Sequence, residues 1–483
     1  MPTVQFRTYS IRKRDLATGA LLCGATAAWL LAPAPQVRAQ DLGPLRGDVA
    51  EDVIAADAVP DTTVTPLPAP ELEDLTGRIE PVPPAGPVQG AGGTPEDDPF
   101  AASGIRFGSF LLRPSVELGL TGTRETTGSA AAVNRLLGDT ALRLELDSDW
   151  ERHAVNIAAA GSLQQPLSGG GDLEPALLVD ASSRLDITDD TTLTGRLGYA
   201  YELDDPQSAA YLAATDPVMF PGITGTNDPA TQVINGSLTL RQGFGRLYGE
   251  TEVSAERVLY GTAELSDGSA VSQHDLDNTA YDARLRAGVE LSPVWSPFIE
   301  ATWGIRRMDV RPDTGGVDRN ATRYGLRAGT GIDLGEKLNG EIAAGYIKED
   351  ISDATLTDLA GVSVDASLNW SPRRETDVAL ALSTTTETSG GAGDSGALLY
   401  SADLGVTHKA RANLTFDAGI GAEYRDEQGG ADEFTLTGTA ALTFWFNRFT
   451  GLTTRIGHER VTGSDAASQS DTTTAFVGLK LQR

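Results

Sequence analysis

Residues 362–370 read Val-Ser-Val-Asp-Ala-Ser-Leu-Asn-Trp. Val362, Val364, Ala366, Leu368 and Trp370 alternate one for one with Ser363, Asp365, Ser367 and Asn369. A period of two places the apolar side chains on one face of an extended strand and the polar ones on the other. A soluble strand with one buried face alternates in the same way. Here, however, the rhythm recurs from about Phe107 to Arg483 and its polar face carries full charges: Leu142, Leu144 and Leu146 interleave with Arg143 and Glu145. An antiparallel barrel in a bilayer has that combination, with lipid outside and water inside.

The 483 residues could hold two or three ordinary domains, so tandem soluble β-domains are the first rival. Aromatic residues make up only 6% of the chain, little bulk for several sandwich cores. No internal stretch offers the ~18 apolar residues of a spanning helix. Eighteen alternating runs emerge, each close to the ~9–11 residues with which a tilted strand crosses. The count falls to 16 if two weak runs are not strands. Backbone groups in hydrocarbon must all be paired, so the sheet has to close on itself.

The links between runs separate the readings further. Short ones occur at Asp147–Arg152, Thr188–Thr191, Arg241–Gly245, Ser292–Ser296, Gly335–Lys337, Ser371–Glu375, His408–Ala412 and Asn447–Phe449. Between them fall longer polar links, including Gly122–Gly138, Asp204–Ala230, Gly261–Asn278, Arg311–Arg319, Ser389–Gly396 and Val461–Asp471. Short periplasmic turns alternating with longer outer loops give this order. The fold expected is all-β, a transmembrane antiparallel up-and-down barrel.

Lipid-facing sets follow from the alternation: Val116, Leu118 and Leu120; Ile299, Ala301, Trp303 and Ile305; Leu398, Tyr400, Ala402, Leu404 and Val406; Leu414, Phe416, Ala418, Ile420 and Ala422. Val378–Thr386 is the weakest strand, because Ala379 and Ala381 leave both faces bland. Tyr201, Tyr281, Tyr324, Tyr346, Tyr400, Tyr424 and Phe434 fall on the lipid side near the outer rim. Trp370, Phe444 and Phe446 fall there near the periplasmic rim. Two aromatic girdles are what amphipathic rings prefer at membrane interfaces.

The N-terminus differs from the rest. Arg12, Lys13 and Arg14 precede an uncharged Ala- and Leu-rich run from Leu16 to Pro35, and Val37-Arg38-Ala39 offers a cleavage site before Gln40. Residues 1–39 thus read as a secretory signal peptide. Cys23, the single cysteine, lies inside it, which leaves the mature chain without thiols. Residues 40–103 carry 13 Asp or Glu against Arg46 and Arg78, with 11 of the chain's 25 prolines. That composition predicts a disordered periplasmic tail, followed by the barrel at 104–483.

Pro95-Glu96-Asp97-Asp98-Pro99-Phe100, then Gly104-Ile105-Arg106-Phe107-Gly108-Ser109-Phe110-Leu111-Leu112-Arg113-Pro114-Ser115, resembles the N-terminal barrel motif of the alphaproteobacterial outer-membrane proteins called β-barrel porin family 2. The Ser148-Asp149-Trp150-Glu151-Arg152-His153 turn is similar to that family's first periplasmic turn. The resemblance runs over roughly 95–483 and is most specific in the first third. It implies an outer-membrane barrel described as a porin, without catalytic residues or an assigned substrate. Lipid, lipopolysaccharide and the barrel-assembly machinery would be its partners. Many outer-membrane barrels end on an aromatic recognised by the insertion machinery, whereas this chain ends Leu481-Gln482-Arg483.

The inward positions form the candidate functional surface: Glu117, Arg143, Glu145, Arg184, Arg196, Glu250, Glu252, Glu256, Arg284, Arg286, Arg306, Arg323, Arg327, Asp365, Asp403, Asp417, Glu423 and Arg455. A symmetric hairpin around Gly261–Asn278 would set Glu252 opposite Arg286 and Glu256 beside Arg284. Such a wall either selects ions and small solutes or only props the barrel open. The Asp204–Ala230 loop holds Tyr211, Leu212, Val218, Met219, Phe220 and Ile223. With Asp204, Asp205, Asp216 and Asp228 beside them, these residues suggest either a loop folded inward to narrow the pore, by positional analogy with the third outer loop of general porins, or a hydrophobic cap on the rim. Net charge −29 favours weak cation preference and argues against nucleic acid.

The four histidines, His153, His274, His408 and His458, are scattered, and no Gly-x-Ser-x-Gly elbow or phosphate loop is present. No enzyme, cofactor or metal site is expected. Two function classes stand: a passive channel for small hydrophilic solutes or ions, and a structural or export-linked barrel serving surface polysaccharide or anchoring.

Overall fold

A computed structural model describes residues 98–483 except 129–130, 204–228, 265–267, 314, 388–394, 429–431 and 464–468. The signal peptide, nearly all of the acidic tail and the proposed inward loop lie outside the described residues.

The chain pairs as one antiparallel sheet. In order its strands are β1 (Ile105–Phe107), β2 (Phe110–Thr127), β3 (Val133–Ser148), β4 (His153–Ser168), β5 (Glu174–Thr188), β6 (Thr191–Leu203), β7 (Ala230–Phe244) and β8 (Leu247–Tyr260). A small loop hairpin follows, β9 (Thr262–Glu264) and β10 (Ala270–Ser272). The sheet resumes with β11 (Asn278–Val289), β12 (Trp295–Met308), β13 (Ala321–Asp333), β14 (Leu338–Ile351), β15 (Leu359–Arg373) and β16 (Thr376–Glu387). It ends with β17 (Ala397–Arg411), β18 (Leu414–Glu427), β19 (Glu433–Asn447), β20 (Thr450–Gly463) and β21 (Ser470–Gln482).

Each long strand hydrogen-bonds to the next, and β2 pairs with β21 from Ser115↔Gln482 to Thr127↔Ser470, so 18 strands close into a barrel. β1 pairs with the start of β2 where β21 has run out (Ile105↔Leu112). No helix of the described residues is long and apolar enough to cross a membrane. The strands do the crossing.

All eight short links predicted from sequence lie at one end, from the two-residue 189–190 to the five-residue 290–294. This is the periplasmic end by its short turns. The first outer link is shorter than its sequence suggested: β2 reaches Thr127 and β3 starts at Val133, so Gly122–Gly138 contracts to 128–132. The ladder continues there through polar residues, with Arg135 3.7 Å from Glu125. β2 has 18 residues and so stands clear of the bilayer, which needs ~9–11.

The motif residues meet at the periplasmic rim. Arg106 is 2.8 Å from Asp149, and the Phe110 and Trp150 rings meet edge to face at 5.3 Å. Lys409 lies 3.0 Å from Asp98, and Gln482 donates to the Phe100 carbonyl at 2.8 Å. The segment before β2 thereby ties the first strand to the last.

The outward face is apolar and exposed: Leu118, Leu285, Ile299, Trp303, Leu326, Val362 and Ile420 all stand free. Tyr281, Tyr324, Tyr346, Tyr424 and Phe434 are exposed toward the outer rim, and Trp370 and Phe446 toward the periplasmic one. Leu398 corrects the lipid-facing set, being only 1% exposed.

Candidate functional site: the charged inner face

Alternation fixes which side chains can meet. With Ile299, Ala301 and Trp303 outward, Glu300 points inward, directly opposite Arg286 on β11 and Arg327 on β13. Side chains from strands two or three apart converge only on the concave side of a curved sheet. Arg286 of β11 bonds Glu341 of β14 at 2.7 Å, and Arg323 of β13 bonds Asp282 of β11 at 3.1 Å. The charged face is therefore the inner one.

Glu300 is the hub of the largest cluster, its side chain 0% exposed. It accepts from Arg284 (3.2 Å), Arg286 (2.7 and 2.9 Å) and Arg327 (3.0 Å). Arg284 also reaches Glu250 at 3.0 Å and Glu252 at 2.8 Å, while Arg327 bonds Asp365. Guanidinium forks matched to carboxylates bond them at fixed geometry. Nearer the outer rim, Glu349 bonds Arg306 and Thr386, and Arg323 donates to Thr386 at 3.3 Å. Arg425 bonds Glu387 at 3.0 Å and Glu427 at 2.7 Å. On the far side of the barrel Arg455 pairs with Glu117, and Arg184 lies 3.3 Å from Asp186.

The other inward candidates sit on the same face. Arg143 and Glu145 are on β3, Arg196 is opposite Ser237, Glu256 is opposite Asn235, and Asp403 faces Ala381. Glu423 is buried on β18, and Asp417 accepts from the Thr407 hydroxyl at 2.8 Å.

The β8–β11 register corrects both neighbours expected across that hairpin. Glu252 faces Arg284 and Glu250 faces Arg286, while Glu256 faces Ala280 rather than flanking Arg284. The connection is asymmetric. Its β11 side carries a 3-10 turn, His274–Leu276, and Asp277 accepts the Tyr260 amide at 2.7 Å, so Asn278 enters opposite Val258. Asp204, Asp205, Tyr211, Asp216 and Phe220 lie outside the described residues.

Glu300, Glu341, Glu349 and Arg425 are central to the wall but were not singled out from sequence. The signal was available: each occupies the inward phase of a strand whose outward phase is apolar. Three inward rings were missed too. Phe298 lies under Arg286 and Tyr248 under Arg241, each 3.9 Å from guanidinium carbon to ring centroid, and Phe476 lies under Arg455 at 4.1 Å. Each ring covers a glycine. A Cβ at Gly288 would come within 2.2 Å of Tyr248, so only glycine fits beside the ring. The four histidines occupy four separate places, each on its own hydrogen-bond partner: His153 with the Asp186 amide, His274 with Asp277, His408 with Thr376 and His458 with Thr473.

The family model described as "Putative beta-barrel porin 2" matches residues 98–483, the whole described barrel. The chain belongs to this family. Among solved structures, this family member resembles OccK2 (OpdF) of Pseudomonas aeruginosa, at 12% identity over 77% of this chain and 98% of that one, with TM-score 0.36. A BenF-like porin of Pseudomonas fluorescens Pf-5 matches at 11% identity, 77% and 99% coverage and TM-score 0.37. The siderophore receptor PiuA of Acinetobacter baumannii matches at 9% identity, 79% and 82% coverage and TM-score 0.41. No curated protein matches the porin-family chain.

Proposed function

We propose that this porin-family barrel is a passive diffusion channel of the Gram-negative outer membrane for small hydrophilic solutes or ions. The observation that supports it is an ionised inner face enclosed by 18 strands, a number at which a barrel holds an aqueous lumen rather than a packed core. On this reading Arg143, Glu145, Arg196, Glu256, Asp403 and Asp417 line the passage, while the Glu300 and Glu349 clusters stiffen one wall. Lipopolysaccharide and lipid surround the aromatic girdles, the signal peptide is removed on export, and the assembly machinery inserts the chain. The passage needs no catalytic group. Purified protein in liposomes should let them swell in an isosmotic monosaccharide solution and should give unitary current steps in planar bilayers. Vesicles that stay tight and silent bilayers would leave a structural or export-linked barrel instead.

A further inference from the structure

The wall is not joined edge to edge all the way round. The β15–β16 ladder stops at Ala366↔Leu382, although β15 starts at Leu359 and β16 continues to Glu387. β16 meanwhile stays paired with β17 up to Glu387↔Ala397. Above Leu382 the hairpin end has left its neighbour in the sheet.

Three contacts show where it goes. Thr384 and Thr386 share the face of β16 that Leu380 and Leu382 turn outward. Yet the Thr384 hydroxyl accepts the Val364 amide at 2.9 Å and donates to the Val364 carbonyl at 3.2 Å. Thr386 bonds Glu349 and Arg323, which project inward from β14 and β13. Gly361 is an inward position of β15, and a Cβ there would lie 2.5 Å from Leu398 Cδ1 and 3.0 Å from the Tyr400 hydroxyl. Leu398 and Tyr400 are outward positions of β17. The outward face of the hairpin end thus lies against the inner face of β13–β15: the wall overlaps itself, with β16–β17 inside.

Composition explains the tuck. Ser383-Thr384-Thr385-Thr386-Glu387 has no apolar residue on either face, so it has nothing to turn to lipid. Overlap buries Leu359, Ala397, Leu398 and Thr384 together, and ties Thr357 to Ser395 at 2.7 Å. The joint is held by hydroxyls and apolar contacts in place of a backbone ladder. It is the one long stretch of neighbouring strands among the described residues without paired register.

We propose that the tucked residues Ser383–Glu387 of β16 and Ala397–Tyr400 of β17 set the size limit of the passage at its outer mouth and are its moving part. A strand displaced to the inside narrows the lumen by its own thickness. Swinging about the last ladder pair, Ala366↔Leu382, would return it to the wall and widen the mouth. This rests on the channel reading above and names the segment that limits it.

The test is a reversible lock. Gly361→Cys and Leu398→Cys in a Cys23→Ser background are joined by a short bifunctional methanethiosulfonate, which a reductant removes. Locked channels should lose the upper level of unitary conductance. Their liposomes should admit a monosaccharide but exclude a trisaccharide that reduced ones admit. Thr384→Val with Thr386→Val, folding checked by heat-modifiable gel mobility, should favour the upper level without any lock. Failure of the two cysteines to crosslink would refute the overlap. Crosslinked and reduced channels with the same conductance and the same solute cut-off would refute the size limit while leaving the channel reading intact. Silence in both redox states would sink the channel reading, and this proposal with it.

Discussion

Glu300 condenses the energetic problem of the inner wall into one side chain. It is fully covered and faces three guanidinium groups, so its own desolvation is offset only while all of them stay in place. Glu300→Gln leaves Arg284, Arg286 and Arg327 crowded without their shared anion. Removing one partner of a buried charge cluster is costly, and about 3 kcal/mol of unfolding free energy should go. Urea titration in lipid vesicles measures it, and a loss below about 1 kcal/mol would mean that water in the lumen already screens the cluster. The rim pair Arg257–Asp309 offers the contrast. Arg257 donates to Asp309 at 2.6 and 2.5 Å, but the Asp309 side chain is 45% exposed, so Asp309→Asn should cost under about 1 kcal/mol. The hydrogen bonds from Arg257 hold the Asp309 carboxyl below the ordinary carboxylate range. A depressed value means that the pair's contribution is present above the ordinary pKa and is lost as pH falls through the lowered one. An NMR titration of the Asp309 carboxyl carbon in micelles should give a midpoint below ~4, and a midpoint at or above it would contradict the pairing.

At the scale of the strand, the apolar stripe faces hydrocarbon and the charged stripe faces water. Leu285 lies midway along β11 and is 60% exposed on the outward side, one residue from Arg284 and Arg286. Leu285→Arg should cost ~2–4 kcal/mol, as a cation does at the bilayer midplane of such a barrel. Vesicle refolding yields and urea midpoints check it. An unchanged midpoint would mean that β11 does not face lipid there. This two-face rule made most of the fold legible from sequence: strand number, turn positions and the inward phase of the charged candidates on the described strands follow from alternation and link length. What escaped depends on more than one strand. Register across β8–β11 depends on how the outer loop distributes its residues, and the 3-10 turn at His274–Leu276 shifts it by one dyad. The partners of Glu300 come from strands that only the closed curve brings together. Leu398 fits the outward alternation of its own strand, and its burial depends on β16 leaving the sheet. The bland faces noted in Val378–Thr386 were the one local sign of that departure.

For the whole molecule the remaining quantity is the field inside the barrel. The chain carries net charge −29, but in the β8–β15 sector Arg284, Arg286, Arg306, Arg323 and Arg327 each pair with at least one carboxylate and offset part of it. Carboxylates held by uncharged groups add to the field. Asp417 is bonded by the Thr407 hydroxyl at 2.8 Å and Asp139 by that of Thr121. A hydroxyl orients a carboxylate without cancelling its charge. Cations should accordingly gather in the passage and anions should be depleted, an effect that salt screens over a Debye length of ~10 Å at 0.1 M. In a KCl gradient across a planar bilayer the reversal potential should carry the sign of cation preference and shrink as mean salt rises. Asp417→Asn combined with Asp139→Asn should move it toward zero while leaving the Glu300 cluster intact. An anion-selective potential would mean that Arg143, Arg196 and their neighbours dominate the mouth instead.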